Sequence, residues 1–232
     1  MNISHNQNVV IIPARGGSKG LPRKNIIDFC GKPLLAWTIE NCLEGGVHEV
    51  YVSSDSEEIL AVGEQYGALP IRRPLEISGD TASSESGWLH ALSVIEDVVS
   101  DVDWILAPQV TSPLREIGDI TGAINLAQTN EFDSLFSANV VEDFCLWRKS
   151  KNGLESFSYD YKDRKPRQLF EKTILENGSF YLFRPNILKE HNNRLANRIG
   201  YFLLDRFKSF QIDSKEDIRI AKSIMIEFGL DK

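Results

Sequence analysis

Cysteine is scarce in this chain: three residues in 232, at positions 30, 42 and 145. The count is odd, the spacing is wide and no CxxC pair occurs, so neither a disulfide framework nor a thiolate zinc site is expected. Reduced thiols are the natural reading. The four histidines, His5, His48, His90 and His191, are equally scattered. Without an HExxH or another paired spacing they support neither a zinc centre nor a histidine-centred triad. No apolar run approaches the roughly 18 residues of a membrane span. The first eight residues also lack a basic start followed by an apolar stretch. A soluble, non-secreted, cytoplasmic protein without a membrane partner is expected. Basic excess is missing as well: the net charge is -7 and the pI near 5.2, which argues against a nucleic-acid partner. Internal repeats and low-complexity tracts are absent, which excludes solenoid and array architectures.

What is present is a chain of 42% hydrophobic residues, enough for one domain over residues 1–232 with a core of ordinary size. Asn8 to Pro13 (NVVIIP) is a continuous apolar run, the pattern of a strand buried on both faces. Leu34, Leu35, Ile39 and Leu43 recur at helical spacing up to Gly45 and Gly46. A strand over Glu49 to Ser53 and a helix over Glu57 to Tyr66 follow, then a helix over Ser84 to Val99, a strand over Trp104 to Pro108, a helix over Ile117 to Gln128 and a strand over Ser134 to Val140. This alternation predicts an α/β fold, Rossmann-like, with a mostly parallel twisted sheet flanked by helices. Strands over Ser179 to Phe183 and Phe207 to Ile212 and a helix over Asp217 to Phe228 close the chain. Trp37, Trp88 and Trp104 fall inside predicted elements and read as core.

Between Val141 and Lys172 the pattern breaks, because aromatic and charged residues mix without a sustained period. The segment is too rich in rings for a plain linker. It predicts a hairpin-like lobe at 141–172 that finds its core elsewhere, on a second subunit, with Trp147 a candidate contact.

The first strand runs into ARGGSKGLPRKN, a loop with three glycines, two arginines and two lysines. Ligands of open parallel sheets bind outside the carboxyl ends of the strands, where this loop falls. Glycine lets backbone N–H groups converge on an anion, while Arg15, Lys19 and Lys24 supply charge that no acid within the loop neutralises. The loop is neither GxxxxGK[ST] nor GxGxxG, and Ser18 lacks the GxSxG setting of a nucleophile. Asp55 follows a strand and precedes a helix, which reads as an N-cap rather than as an acid facing the crevice.

IPARGGSKGLPRKN resembles the nucleotide-binding motif of the acylneuraminate cytidylyltransferases, the CMP-sialic acid or CMP-nonulosonate synthetases. RRPLEISGDTASS (72–84), QVTSPLR (109–115), PRQ (166–168) and ENGSFY (176–181) resemble that family's further segments, in the same order and over nearly the whole chain. The resemblance implies that Arg15, Ser18, Lys19 and Asn25 hold the triphosphate and ribose of CTP. Arg73 and Ser84 would contact the nucleotide, and Ala82 would help to read cytosine through its main chain. Gln109 and Thr111 would face the sugar acid, with Arg167, Asn177 and Tyr181 as further contacts.

The implied reaction is attack by the anomeric hydroxyl oxygen of a nonulosonic acid on the α-phosphorus of CTP, with release of pyrophosphate. Arg15, Lys19 and Asp213 would carry the chemistry, Asp213 as a ligand of Mg2+, in a homodimer whose 141–172 lobe closes the partner's sugar site. One departure stands out. The family often has D-x-D ahead of the last helix, whereas this chain reads Gln211-Ile212-Asp213. Gln211 brings no charge to a cation, which puts a two-metal arrangement in doubt, and Asp217 reads as a helix-start acid. Two alternatives stay open: a cytidylyltransferase for 3-deoxy-manno-octulosonate, whose usual S-x-R-L-P loop is missing here, and a CTP-binding module without turnover.

Overall fold

The computed structural model describes residues 7–18, 20–142 and 145–231. In chain order, β1 (Gln7–Pro13) leads through the glycine loop to a two-strand ladder, β2 (Asp28–Phe29) with β3 (Lys32–Pro33), and then to α1 (Leu34–Glu44). Three strand and helix pairs follow: β4 (Glu49–Ser54) with α2 (Glu57–Gln65), β5 (Leu69–Arg72) with α3 (Ser84–Glu96), and β6 (Val102–Pro108) with α4 (Ile117–Thr129). β7 (Ser134–Val141) precedes a hairpin of β8 (Trp147–Ser150) and β9 (Gly153–Ser156). The long β10 (Thr173–Phe183), α5 (Pro185–His191), β11 (Ile199–Leu203) and α6 (Lys215–Glu227) complete the chain.

The seven-stranded sheet has the order β11-β7-β10-β6-β1-β4-β5. β10 alone runs antiparallel to both of its neighbours, and the other pairs are parallel. The run in β1 explains its central place. Val10 and Ile12 point into one core with α1, α2 and α4, and Val9 and Ile11 into the other with α3, and all four are fully buried. Trp88 and Trp104 are buried in those cores. α1 stops at Gly45 and Gly46, the latter at φ +87°, a conformation that costs glycine little.

The end of the chain departs from the sequence pattern. No strand forms over Phe207 to Ile212. A short 3-10 turn occupies Arg206–Ser209, and the edge strand is β11, which pairs in parallel with β7. Lys208 supplies the reason. Its ammonium is buried and draws the segment under α4, where it binds Asp119 at 2.9 Å and Glu116 at 2.5 Å. Phe207 meanwhile stacks on Phe228 at 3.9 Å between centroids. The segment is thus fixed by side chains and not by a ladder.

β10 also starts earlier than expected, at Thr173, and its register against β7 shifts between Glu176 and Tyr181. Gly178 sits there at φ +69°. Side chains replace the missing ladder bonds: Ser179 N–H donates to Asn177 Oδ1 at 3.1 Å and Phe180 N–H to Ser137 Oγ at 2.9 Å. Such an irregularity bends a strand and re-aims its side chains, and here it lies beside the crevice.

Candidate active site

The glycine loop leaves β1 at the carboxyl end of the sheet and is tied down on three sides. Asn25, itself buried, donates from Nδ2 to Arg15 O at 2.9 Å. Gly16 N–H donates to Asp55 Oδ1 at 2.8 Å. Lys24 Nζ reaches Asp213 Oδ1 at 2.9 Å, which joins the loop to the start of α6. Gly20 is where glycine is required, since a Cβ there would stand 2.8 Å from the carbonyl oxygen of Asp213.

Four segments enclose a crevice of about 310 Å³ above these strand ends. Arg15 and Asn25 come from the loop, Arg73 follows β5, Ala82 and Ser84 come from the start of α3, and Gln109 and Thr111 follow β6. Arg73 is buried, with Nη2 donating to Ser53 O at 2.8 Å and Nε to Ser53 Oγ at 3.1 Å. Burial pulls its pKa down, Asp55 opposes that shift, and Arg15 adds to it. Arg15 pairs with Asp80 at 3.0 Å. The crevice therefore holds two guanidinium groups close enough to repel each other, with Asp55 and Asp80 beside them, an arrangement that an incoming polyanion would relieve. Ser83 caps α3 through the Ser86 N–H at 3.1 Å, so the positive end of that helix also opens on the crevice.

Other residues singled out from the sequence sit differently. Lys19 lies outside the described residues. Ser18 stays in the loop, with its N–H donating to Gly16 O at 3.2 Å, and does not line the crevice. Ala82 N–H is committed to Gly79 O at 3.1 Å, which leaves its carbonyl for main-chain recognition. The Asn177 amide is absorbed in a buried network. Its Oδ1 accepts from Ser137 Oγ at 2.6 Å and its Nδ2 donates to Asn139 Oδ1 at 2.8 Å. The Tyr181 hydroxyl donates to Glu176 Oε1 at 2.6 Å, and its ring packs on Trp88, which does line the crevice. Burial and then that carboxylate push the Tyr181 pKa up to about 12. Arg167 stands in the lobe, half-paired with Glu142 at 3.3 Å, away from this crevice of its own chain.

Asp55 overturns its reading as a cap. Ser56 holds the N-cap position of α2 without a side-chain bond, and the Asp55 carboxylate turns to the glycine loop. The signal was its place at a strand's carboxyl end. Asp217 is the helix-start acid expected, forming a reciprocal box with Ser214 at the start of α6. Arg115, in the QVTSPLR segment, proves structural: it is buried and bonds Ser179 O at 2.8 Å and Thr38 Oγ1 at 2.8 Å beneath the crevice floor. Burial brings its pKa down to about 10, so it stays charged at neutral pH.

Asp213 is the one acid of the QID segment, and its side chain is 71% exposed. Among the described residues no group of three or more His, Cys, Asp and Glu is placed to hold a metal. An exposed single carboxylate beside an anion loop does fit Mg2+, which takes one or two carboxylates together with substrate phosphate oxygens.

Sheet and crevice together define the class, a Rossmann-like α/β protein built to receive a polyanionic nucleotide at its strand ends. The cytidylyltransferase family profile matches residues 9–201, and the chain belongs to that family. It is 34% identical over 222 residues to a pseudaminic acid cytidylyltransferase of Campylobacter jejuni, covering 93% of this chain and 95% of that one. It is also 34% identical to an N-acylneuraminate cytidylyltransferase of Escherichia coli, over 93% of this chain but 51% of that longer one. Among solved structures, the fold matches CMP:2-keto-3-deoxy-manno-octonic acid synthetase complexed with CTP, with a TM-score of 0.69 and 16% identity over 96% of this chain and 99% of that one. No helix among the described residues is long and apolar enough to cross a membrane.

Proposed function

We propose that this enzyme transfers CMP from CTP to the anomeric hydroxyl of a nonulosonic acid. The hydroxyl gives up its proton to solvent as its oxygen attacks the α-phosphorus, the bond from that phosphorus to the bridging oxygen of the β-phosphate breaks, and pyrophosphate leaves. The observation that carries this reading is the convergence of the loop, Arg73, the start of α3 and the Gln109 to Thr111 wall on one crevice, in a chain that shares its length with a pseudaminic acid cytidylyltransferase.

Phosphoryl chemistry of this kind needs positioning and charge more than covalent help. Arg15, with Lys19 of the same loop, binds the β- and γ-phosphates and neutralises charge on the departing pyrophosphate, and Ser18 shapes the loop through its N–H bond to Gly16 O. Asn25 keeps the loop closed on the ribose. Arg73 and Ser84 orient the nucleotide, and the Ala82 carbonyl suits the exocyclic amino donor of cytosine, which uracil lacks. Gln109 and Thr111 offer donor and acceptor groups to the sugar acid. Asp213 would hold Mg2+, which would neutralise phosphate charge when bound. Tyr181 acts through Trp88 as part of the crevice wall, and the Asn177 side chain supports that wall from its buried network. The protein acts as a homodimer in the cytoplasm, and Arg167 reaches the sugar end of the partner's crevice from the lobe.

Pyrophosphate release measured with CTP and Mg2+ against a panel of nine-carbon sugar acids and 3-deoxy-manno-octulosonate tests the proposal, with UTP and ATP as controls. Release with CTP and a nine-carbon acid is expected. Release with 3-deoxy-manno-octulosonate alone would move the chain to that branch. Silence from protein that still binds CTP would leave a nucleotide-binding module.

A further inference from the structure

The QID segment packs behind the Gln109 to Thr111 wall of the crevice. Ile212 N–H donates to Thr111 O at 2.8 Å, and the carbonyl of Asp213 abuts Gly20 of the loop. Gln211 is thereby set beside the wall that carries Gln109 and Thr111. Its Nε2 donates to the main-chain carbonyl of Asn177 at 2.6 Å. This bond fixes which end of the amide is which, because a carbonyl oxygen only accepts. The bend at Gly178 makes room for it. A Cβ on Gly178 would stand 2.7 Å from Gln211 Nε2 and 4.0 Å from Gln109 Nε2. The two side-chain amides therefore flank one point of backbone, and Gly178, at φ +69°, is the residue that lets them approach.

A carboxylate at 211 would set lone pairs against the Asn177 carbonyl, and a neutral amide has one weak oxygen to give a cation. With Nε2 anchored, Gln211 keeps one N–H and the Oε1 acceptor. That pair of functions matches a hydroxyl or an acylamino group, each of which both donates and accepts. We infer that Gln211 is a specificity-determining residue for the sugar acid, paired with Gln109, and not a metal ligand. Asp213 is then the sole carboxylate of the segment available to Mg2+.

This inference rests on the proposed reaction, and its test separates the two. Wild-type protein without pyrophosphate release for any nine-carbon acid would remove the reaction itself. Given wild-type turnover, Gln211→Glu keeps the size of the side chain and loses the donor to Asn177 O. The KM for the best sugar acid should rise about tenfold or more, as for a polar contact left unmade. The Kd for CTP by calorimetry and the Mg2+ concentration for half-maximal rate should stay within about twofold. Gln211→Ala should likewise raise the sugar KM, and its melting temperature shows whether the fold survives. The ranking of acylamino against deaminated nonulosonic acids should change in both variants. An unchanged sugar KM and ranking in folded variants would overturn the assignment. So would a Gln211→Glu protein that needs less Mg2+ or turns over faster at the same sugar KM, because position 211 would then serve the metal.

Discussion

Asp55 places a negative charge beside an anion-binding loop. Its carboxylate accepts the Gly16 N–H at 2.8 Å and faces the buried Arg73. Two effects compete. The hydrogen bond to a charged acceptor, worth about 1.5–3 kcal/mol, anchors the loop. The same charge repels a triphosphate, but at a part-exposed site solvent weakens that repulsion. The anchor should win. Asp55→Ala is expected to weaken CTP binding by about tenfold. Asp55→Asn keeps an acceptor for Gly16 and loses the charge, and should bind CTP as tightly as wild type or a few-fold tighter. Calorimetric titration of both variants decides this, and an alanine variant with wild-type affinity would remove the anchor.

At the scale of elements, legibility followed periodicity. β1, β4, β6 and the helices between them could be read because their apolar patterns serve one or two buried faces and end at glycines or caps. The short edge strands β5 and β11 are half exposed and carry little pattern, and the turn at Arg206–Ser209 is set by the ion pairs of Lys208 with residues some 90 positions earlier, as in its 89-residue separation from Asp119. The contiguous motifs placed Arg15, Asn25, Arg73, Ala82, Ser84, Gln109 and Thr111 in segments that the fold brings to one crevice. The buried network of Asn177 had no local signal, since it depends on the register shift in β10. The start of α6 gives a prediction at this scale. Asp217 Oδ2 accepts N–H bonds from Asp213 at 3.0 Å and Ser214 at 2.8 Å, and these, the Asp213 bond first, hold its pKa below the usual aspartate value. A depressed acid stabilises the fold above its unfolded pKa and loses that contribution as pH falls through the folded one. Asp217→Ala should cost about 1 kcal/mol at pH 7, as caps do. The difference from wild type should shrink below about pH 4. Urea unfolding at several pH values measures it, and a pH-independent difference would point to lost packing instead.

On the scale of the whole molecule, none of the described residues between 145 and 172 belongs to either core. β8 and β9 form a two-stranded ladder of four residues each, too small to be stable alone. Trp147 packs on Tyr159 and Tyr161, and Tyr159 on Phe170, but Leu154, Phe157, Tyr161 and Leu169 are each more than half exposed. Several exposed apolar side chains in one small segment are what an interaction face presents. In the proposed homodimer a second copy of this chain would cover this face, and Arg167, which does not line the crevice of its own chain, would then reach the partner's. Leu154 is 71% exposed, so Leu154→Asp should leave the fold of the protomer intact while placing a charge in the interface. Sedimentation should show a dimer for wild type and a shift toward monomer for the variant. If the lobe completes the partner's sugar site, the monomer should keep its affinity for CTP and lose turnover by about tenfold or more, mostly through the sugar KM. A variant that becomes monomeric with full turnover would confine the lobe to assembly, and a wild-type monomer with full activity would return Arg167 to its own chain.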